Sequence, residues 1–322
     1  MKDLFLGIDT SNYKTSVAIT DENDNIVFER SEYLEVEQGE RGLRQSVAFF
    51  KQSNALPLFI KEAMSCVNPS DIAAVSVSSR PRRVEGSYMP VFLAGLNAAQ
   101  MISASLEIPI YEFSHQEGHA HAVLTSACRD IPDRCLMYHL SGGTTEILDC
   151  RRDSNGYLMD IVGGTLDISF GQLLDRIGVK LGYSFPSGAY LDRIAGETEV
   201  TEKAPSIRHK SGFFNLSGLE TSSIRRIDME NEEETSHNSL ISVIFRQISQ
   251  LIYDTAVYLS SDLGIRDVYI SGGVAASSTI RQLISSYNDR GLNIVFGDVR
   301  LSGDNAVGIA RLGRLIHTEK DI

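Results

Sequence analysis

Two histidines four residues apart, in His115-Gln116-Glu117-Gly118-His119, are the residues best suited to do chemistry in this sequence. On a helix that spacing puts both imidazoles on one face, within reach of a single metal ion, and the donors suit Zn or Fe(II). Two ligands do not complete a site, so a third is needed. Asp304, in Ser302-Gly303-Asp304-Asn305-Ala306, stands at the start of a terminal apolar helix and offers a carboxylate; the same residue would equally serve as that helix's N-cap. Asp9 follows the apolar run Leu4 to Ile8. A carboxylate at a strand end is the usual place for a group holding a divalent ion or a water in phosphate chemistry, with a polar strand cap as the simpler alternative.

Three glycine or hydroxyl turns follow expected strands: Gly7-Ile8-Asp9-Thr10-Ser11, Ser141-Gly142-Gly143-Thr144 and Ser271-Gly272-Gly273-Val274. Each lets backbone N–H groups approach a polyanion, because glycine adds no Cβ and tolerates positive φ. One such turn is more often only a turn. Three of them at the starts of repeated α/β units point to a phosphate cradle, since ligands of such sheets sit beyond the carboxyl ends of the strands. Asp175, Gly188 and Asp192 are placed to face a ribose, whose hydroxyls donate to carboxylates; Asp175 would otherwise pair on its own helix.

The elements that must position these residues read as follows. Leu4 to Ile8, Thr15 to Thr20 and Ile26 to Arg30 form an opening β-meander, broken by the turn-rich Asp21 to Asn25. Ser46 to Met64 reads as a helix, Ala73 to Ser78 as a buried strand, Pro90 to Ile102 as a helix and Ile108 to Glu112 as a strand. The pattern restarts at Cys135 with strands Leu136 to Leu140, Glu146 to Cys150 and Tyr157 to Ile161, which predicts a duplication. A long core-facing helix is expected over Ser239 to Leu259, followed by a strand from Asp267 to Ile270. Glu197 to Ser211 and Asp228 to Asn238 read as polar surface insertions.

The chain's 322 residues suffice for two domains, and 42% hydrophobic content fits an ordinary globular protein. The net charge of -12 argues against a surface that grips nucleic acid everywhere. Arg80-Pro81-Arg82-Arg83 is a local basic patch, or simply a solvated loop. Four scattered cysteines, with no Cys-x-x-Cys pair, indicate neither a disulfide framework nor a thiolate zinc cage. No apolar run reaches the roughly 20 residues of a membrane helix and no signal sequence opens the chain, so a cytoplasmic location with no membrane partner is expected.

In order along the chain, Gly7-Ile8-Asp9-Thr10-Ser11, His115-Gln116-Glu117-Gly118-His119, Leu140-Ser141-Gly142-Gly143-Thr144, Gly164-Thr165-Leu166-Asp167, Phe170-Gly171-Gln172-Leu173-Leu174-Asp175, Ser217-Gly218-Leu219, Gly272-Gly273-Val274 and Asp304-Asn305-Ala306 resemble a known family. It is the threonylcarbamoyltransferase family, once called the sialoglycoprotease family, which modifies adenosine in ANN-decoding transfer RNA and belongs to the sugar-kinase, heat-shock and actin class. The resemblance covers nearly the whole chain. It implies an α/β fold of two duplicated ribonuclease-H-like, actin-like ATPase domains around a central cleft, 1–132 and 133–322, with the last helix a candidate to return to the first domain. It implies one divalent metal, Fe or Zn, on His115, His119 and Asp304. It further implies ATP or an adenylate lined by His139, Leu140, Ser141, Gly142, Gly143, Asp175, Gly188, Asp192, Gly272, Gly273 and Ser277. The implied substrates are tRNA and threonylcarbamoyl-adenylate, with helper proteins as partners.

The sequence departs from the family pattern at Lys14, Arg80 to Arg83, Gln172, Glu220 and Ser277. These departures leave two functions open, a transferase and a nucleotide- and metal-binding regulatory or scaffold paralogue. A metalloprotease is disfavoured because Gln116 stands where His-Glu-x-x-His enzymes carry their glutamate.

Overall fold

The computed structural model describes residues 3–11, 14–35, 43–127, 131–199, 205–229, 234–287, 290–301 and 306–320. The apolar runs at the N-terminus form the expected meander, β1 (Leu4–Asp9), β2 (Lys14–Asp21) and β3 (Ile26–Tyr33). Helix α1 (Gln45–Cys66), β4 (Ile72–Arg80), α2 (Phe92–Leu106), β5 (Ile110–Ser114) and α3 (His115–Ala127) follow. The sheet order is β3-β2-β1-β4-β5, antiparallel among the first three strands and parallel from β1 through β4 to β5. Central β1 and β4 are almost wholly buried, as continuous apolar runs with both faces covered must be, whereas edge strand β3 is largely exposed.

The second half runs β6 (Arg134–Leu140), β7 (Thr145–Asp153), β8 (Gly156–Thr165), α4 (Phe170–Lys180), α5 (Gly188–Glu197), β9 (His209–Lys210), β10 (Phe213–Phe214), α6 (Ser217–Met229), α7 (Glu234–Leu263), β11 (Asp267–Ser271), α8 (Ser278–Tyr287), β12 (Asn293–Phe296) and α9 (Val307–Lys320). Its sheet order is β12-β11-β6-β7-β8-β10-β9. Putting β6, β7, β8, β11 and β12 in the places of β1 to β5 reproduces the first sheet's order, with β6–β11 and β11–β12 again parallel. The expected duplication is therefore present in the topology. The hairpin β9–β10 extends the second sheet beyond that repeat.

Two polar stretches differ from their reading as insertions. Residues 205–211 run into β9, and α7 begins at Glu234, inside the second stretch. Helix α6 went unanticipated because its polar sequence carries little apolar periodicity, with Ser223 its one fully buried residue among those described.

The chain divides into two compact units. One comprises Met1–Ile131, Arg152–Leu158 and Gly303–Ile322; the other comprises Pro132–Arg151 and Met159–Ser302. In the first, Leu6, Ile8, Val17 and Ile19 of the sheet pack on Leu56 and Phe59 of α1 and on Ala94 and Ala98 of α2. Helix α9 packs on α3 at very short range: a Cβ on Gly308 would meet the Gly118 carbonyl oxygen at 2.0 Å. That contact fixes the helix that carries both histidines. In the second unit, Leu136, Tyr138 and Ile147 pack against Phe170, Leu173 and Ile177 of α4 and Ile244, Ile248 and Ile252 of α7. No helix among the described residues is long and apolar enough to cross a membrane.

Candidate functional site

In the first unit, the chemistry gathers at the carboxyl ends of β1, β4 and β5. Asp9 closes β1 and is 1% exposed. Its Oδ1 accepts the Ser11 backbone N–H at 3.2 Å and the Ser78 hydroxyl, while Oδ2 accepts the Ser11 hydroxyl at 3.0 Å and His115 Nδ1–H at 3.1 Å. A carboxylate only accepts, so the proton sits on Nδ1 and His115 turns its Nε2 lone pair the other way. That Nε2 lies 2.9 Å from His119 Nε2, the rings meeting edge to face with centroids 4.3 Å apart. The helical reading of the histidine pair is thus realised on α3, with both rings turned toward one point.

Two converging Nε2 atoms, one ring oriented through Nδ1 by a buried carboxylate, form the arrangement that metal-binding imidazoles adopt. Their spacing is close to the roughly 3.3 Å that two bonds of about 2.0–2.1 Å make on a tetrahedral ion. The residues present therefore fit a divalent metal with nitrogen ligands. Among the described residues no group of three or more His, Cys, Asp or Glu side chains is placed to hold one. Asp304, the expected third ligand, lies outside the described residues.

Glu117, between the two histidines, points away from them into a buried polar cluster that the sequence reading did not use. It is 1% exposed. Its Oε2 accepts the backbone N–H and hydroxyl of Ser114, each at 2.7 Å, and Oε1 accepts the Tyr157 N–H at 3.0 Å. Arg83 lies 3.6 Å from Glu117 and makes a two-pronged pair with Asp153 at 2.9 and 2.8 Å. The bond to Asp153 holds the Arg83 guanidinium above its ordinary range, and Arg83 in turn holds the Asp153 carboxyl below its own. His121, one turn beyond, bonds Tyr157 Oη at 2.9 Å through Nδ1; burial, then Arg314, Arg311 and Arg152, push it down to about 3, so it is neutral. A carboxylate flanked by two histidines was the sequence signal for this cluster. Arg83, Asp153 and Tyr157 gave none.

In the second unit, β6 and β11 are parallel neighbours with Ser271 opposite His139, so the two glycine turns that follow them lie side by side. His139 is half-buried and Leu140 fully buried. The Ser141–Thr144 turn is held by its own Ser141 N–H to Thr144 O bond of 2.8 Å and by the Ser169 hydroxyl donating to Gly142 O at 2.7 Å. Gly272 sits at φ 97°, and a Cβ there would meet the Leu140 carbonyl oxygen at 2.3 Å. A Cβ on Gly142, Gly143, Gly188 or Gly273 would meet nothing within 4 Å. One glycine is required by the fold, while the others present bare backbone, as a phosphate cradle does.

The acidic residues expected at a ribose are tied to helix starts. Asp175 Oδ1 accepts the Ser187 N–H at 2.7 Å, just before α5. Asp192 accepts the Ser277 hydroxyl and the N–H groups of Ser278 and Thr279, 2.9 and 3.1 Å, capping α8. Burial works against the charge on Asp192, but the Ser277 and Thr279 bonds outweigh it and hold the carboxyl below its ordinary range.

A family profile for tRNA N6-adenosine threonylcarbamoyltransferase (TsaD) matches residues 33–311. The chain belongs to this family. The relative of that name from Thermotoga neapolitana is 28% identical over 314 residues, covering 96% of this chain and 92% of its own length. The one from Bacillus subtilis is 25% identical over 325 residues, covering 98% and 91%. Among solved structures, T. kodakarensis HypF superposes with a TM-score of 0.64 at 11% identity over 98% of this chain and 48% of its own. Component A of the Acidaminococcus fermentans (R)-2-hydroxyglutaryl-CoA dehydratase gives 0.55 at 16% identity, covering 98% and 99%. A ROK family glucokinase from Streptomyces griseus gives 0.51 at 12%. These likenesses show the fold, that of duplicated ribonuclease-H-like, actin-like ATPases; the TsaD family itself is one of acyltransferases.

Four positions read from the sequence as departures from the family pattern have intramolecular partners. Gln172 completes a capping box with Ser169, a task glutamate or glutamine performs equally. Glu220 pairs with Arg176 at 3.2 Å. Ser277 joins the Asp192 cap, and the Lys14 ammonium sits over the Tyr33 ring, 5.2 Å from its centroid.

Proposed function

We propose that this chain transfers a threonylcarbamoyl group from threonylcarbamoyl-adenylate to N6 of an adenosine in tRNA, in the cytoplasm and with helper proteins of the family's type. His115 and His119, with Asp304, would hold one divalent ion, Fe or Zn. When bound, such an ion supplies Lewis-acid polarisation of the donor carbonyl and stabilises charge on its oxygen. Asp9 acts by position: with both oxygens engaged, it fixes the His115 ring and its tautomer. The turns Ser141–Gly143 and Gly272–Gly273 offer backbone N–H groups to the phosphate of ATP or the adenylate. Gly188, Asp175, Asp192 and Ser277 shape the ground at the starts of α5 and α8, where the ribose would lie.

In the reaction, the N6 nitrogen bonds to the carbamoyl carbon, the bond from that carbon to the AMP phosphate oxygen breaks, AMP leaves with the electron pair, and one proton leaves the nitrogen. The observation that carries this reading is the Asp9–His115–His119 chain of contacts in a member of the TsaD family. The test is to incubate the purified chain with threonylcarbamoyl-adenylate, unmodified tRNA and the helper proteins, then digest the tRNA and look for the modified nucleoside by mass spectrometry. Modified adenosine that disappears with His119→Ala supports the reading. No product, despite tight nucleotide binding, sinks it.

A further inference from the structure

The hairpin β9–β10 and the end of β8 border a groove of 860 Å³ lined by Leu166, Arg208, His209, Lys210, Phe213 and Phe214, among others. Its architecture follows from strand alternation. Lys210 is the cross-strand partner of Phe213, so the two share one face of the hairpin, and Arg208, just before β9, lines the same groove. On the other face Phe214 stacks on Phe170 with centroids 5.6 Å apart, and His209 meets Tyr258 edge-on at 5.3 Å. Phe214 thus anchors the hairpin in the core while Phe213 stays half-open. Beside it Leu166 is 66% exposed.

The groove is a firm surface. Gly164 N–H donates to Gly212 O at 3.0 Å and Leu166 N–H to Phe214 O at 2.8 Å. The neighbouring carboxylate, Asp167, accepts the N–H groups of Ile168, Leu216 and Ser217 at 2.7, 2.9 and 3.0 Å, so its charge is spent on locking the groove's edge. Arg208 and Lys210 are exposed and have no acidic partner among the described residues. In a chain of net charge -12, the groove thus sets two cations beside a half-open aromatic ring and an exposed leucine.

We propose that this groove takes up RNA, with Arg208 and Lys210 on successive phosphates and an unpaired base lying on Phe213 and Leu166. Cations that track the backbone and an aromatic platform for a base are what single-stranded nucleic acid requires. The proposal rests on the tRNA-directed function proposed for this chain and gives an acidic chain a local surface for RNA. It lies wholly in the second unit and uses no residue of the metal or nucleotide site.

The test is fluorescence anisotropy of the full chain with an unmodified tRNA transcript across about 50 to 200 mM salt, where counterion release governs affinity. The double variant Arg208→Ala with Lys210→Ala should bind at least about tenfold more weakly and lower the salt slope by about 1.4, two single-strand phosphate contacts. Phe213→Leu, which keeps the apolar volume, should weaken binding with the slope unchanged. Thermal melting of each variant checks that the fold is kept. If wild type binds tRNA and the double variant matches it in affinity and slope, the groove is overturned and the tRNA reading stands. If wild type fails to hold tRNA at any salt, or holds a poly-glutamate peptide as tightly, the groove is overturned as an RNA site, while the transferase reading is decided separately by the modified-nucleoside assay with the helper proteins.

Discussion

The Arg83 guanidinium meets the Asp153 carboxylate through two parallel N–H···O bonds of 2.9 and 2.8 Å and lies 3.6 Å from Glu117. Through this pair and the Glu117–Tyr157 bond, the Arg152–Leu158 segment is fastened to the helix that carries His115 and His119. The loop that reads in sequence as a solvated basic patch therefore has one of its arginines turned inward. Its two-pronged geometry is one that lysine does not reproduce.

Glu117→Ala should destabilise the protein by about 3 kcal/mol, because the buried Ser114 and Tyr157 N–H groups lose their acceptor and Arg83 loses a neighbouring charge. Arg83→Ala should cost less, about 1–2 kcal/mol, since Asp153 is part-exposed and regains water. Equilibrium urea denaturation measures both. Equal losses would show that the buried Ser114 and Tyr157 N–H groups do not depend on Glu117 more than Asp153 depends on Arg83, and no loss for Glu117→Ala would show that the cluster does not bear on stability.

Asp9→Asn should lower metal affinity by about 10–100-fold while leaving the fold intact, the usual consequence of removing a carboxylate behind a metal-binding imidazole. The substitution is nearly isosteric, and Ser11 and Ser78 can still bond the amide oxygen. Zinc titration against a chromogenic chelator reads the affinity directly. His119→Ala should abolish stoichiometric binding, and a metal content unchanged by that variant would remove the metal site from consideration.

The histidine pair and the meander were legible because each rests on a local spacing: four residues bring His115 and His119 onto one helix face, and alternating or continuous apolar runs make β1, β2 and β4. The two adjoining glycine turns were legible for the same reason. What stayed hidden is what only the folded chain brings together. Ser78 reaches Asp9 across 69 residues and Arg83 reaches Asp153 across 70. The fates of Asp175 and Asp192 were likewise set by helix starts 12 and more than 80 residues onward, which no local pattern announces. Helix α6 lacked an apolar stripe, and a two-residue strand such as β9 is too short for any periodicity to mark it.

Gly272 and Gly273 should separate folding from binding. Gly272→Ala places a Cβ 2.3 Å from the Leu140 carbonyl oxygen on a backbone at φ 97°, and should cost about 2 kcal/mol or more. Gly273→Ala meets nothing within 4 Å and should leave the melting temperature nearly unchanged. If the turn cradles a phosphate, Gly273→Ala should nonetheless weaken ATP binding several-fold by calorimetry. Normal ATP affinity in a well-folded Gly273→Ala variant would move the nucleotide elsewhere.

Asp192 makes the protein's acid stability testable at one residue. Its carboxyl is held below the ordinary range in the folded state, despite burial, by bonds to Ser277, Thr279 and Ser278. A folded value below the unfolded one means that the unfolded chain binds the proton more readily, so the stabilisation is complete above the ordinary Asp value of about 3.9 and fades as pH falls through the lower folded value. Asp192→Asn should therefore be less stable than wild type at neutral pH, and the gap between their urea midpoints should narrow as the pH is taken below about 4. Asp175, for which one bond to Ser187 does the corresponding work at α5, provides the comparison: its Asn variant should lose less at neutral pH. A gap that stays constant from neutral to acid pH would mean that the Asp192 cap acts through shape alone and that its charge contributes nothing to holding the start of α8.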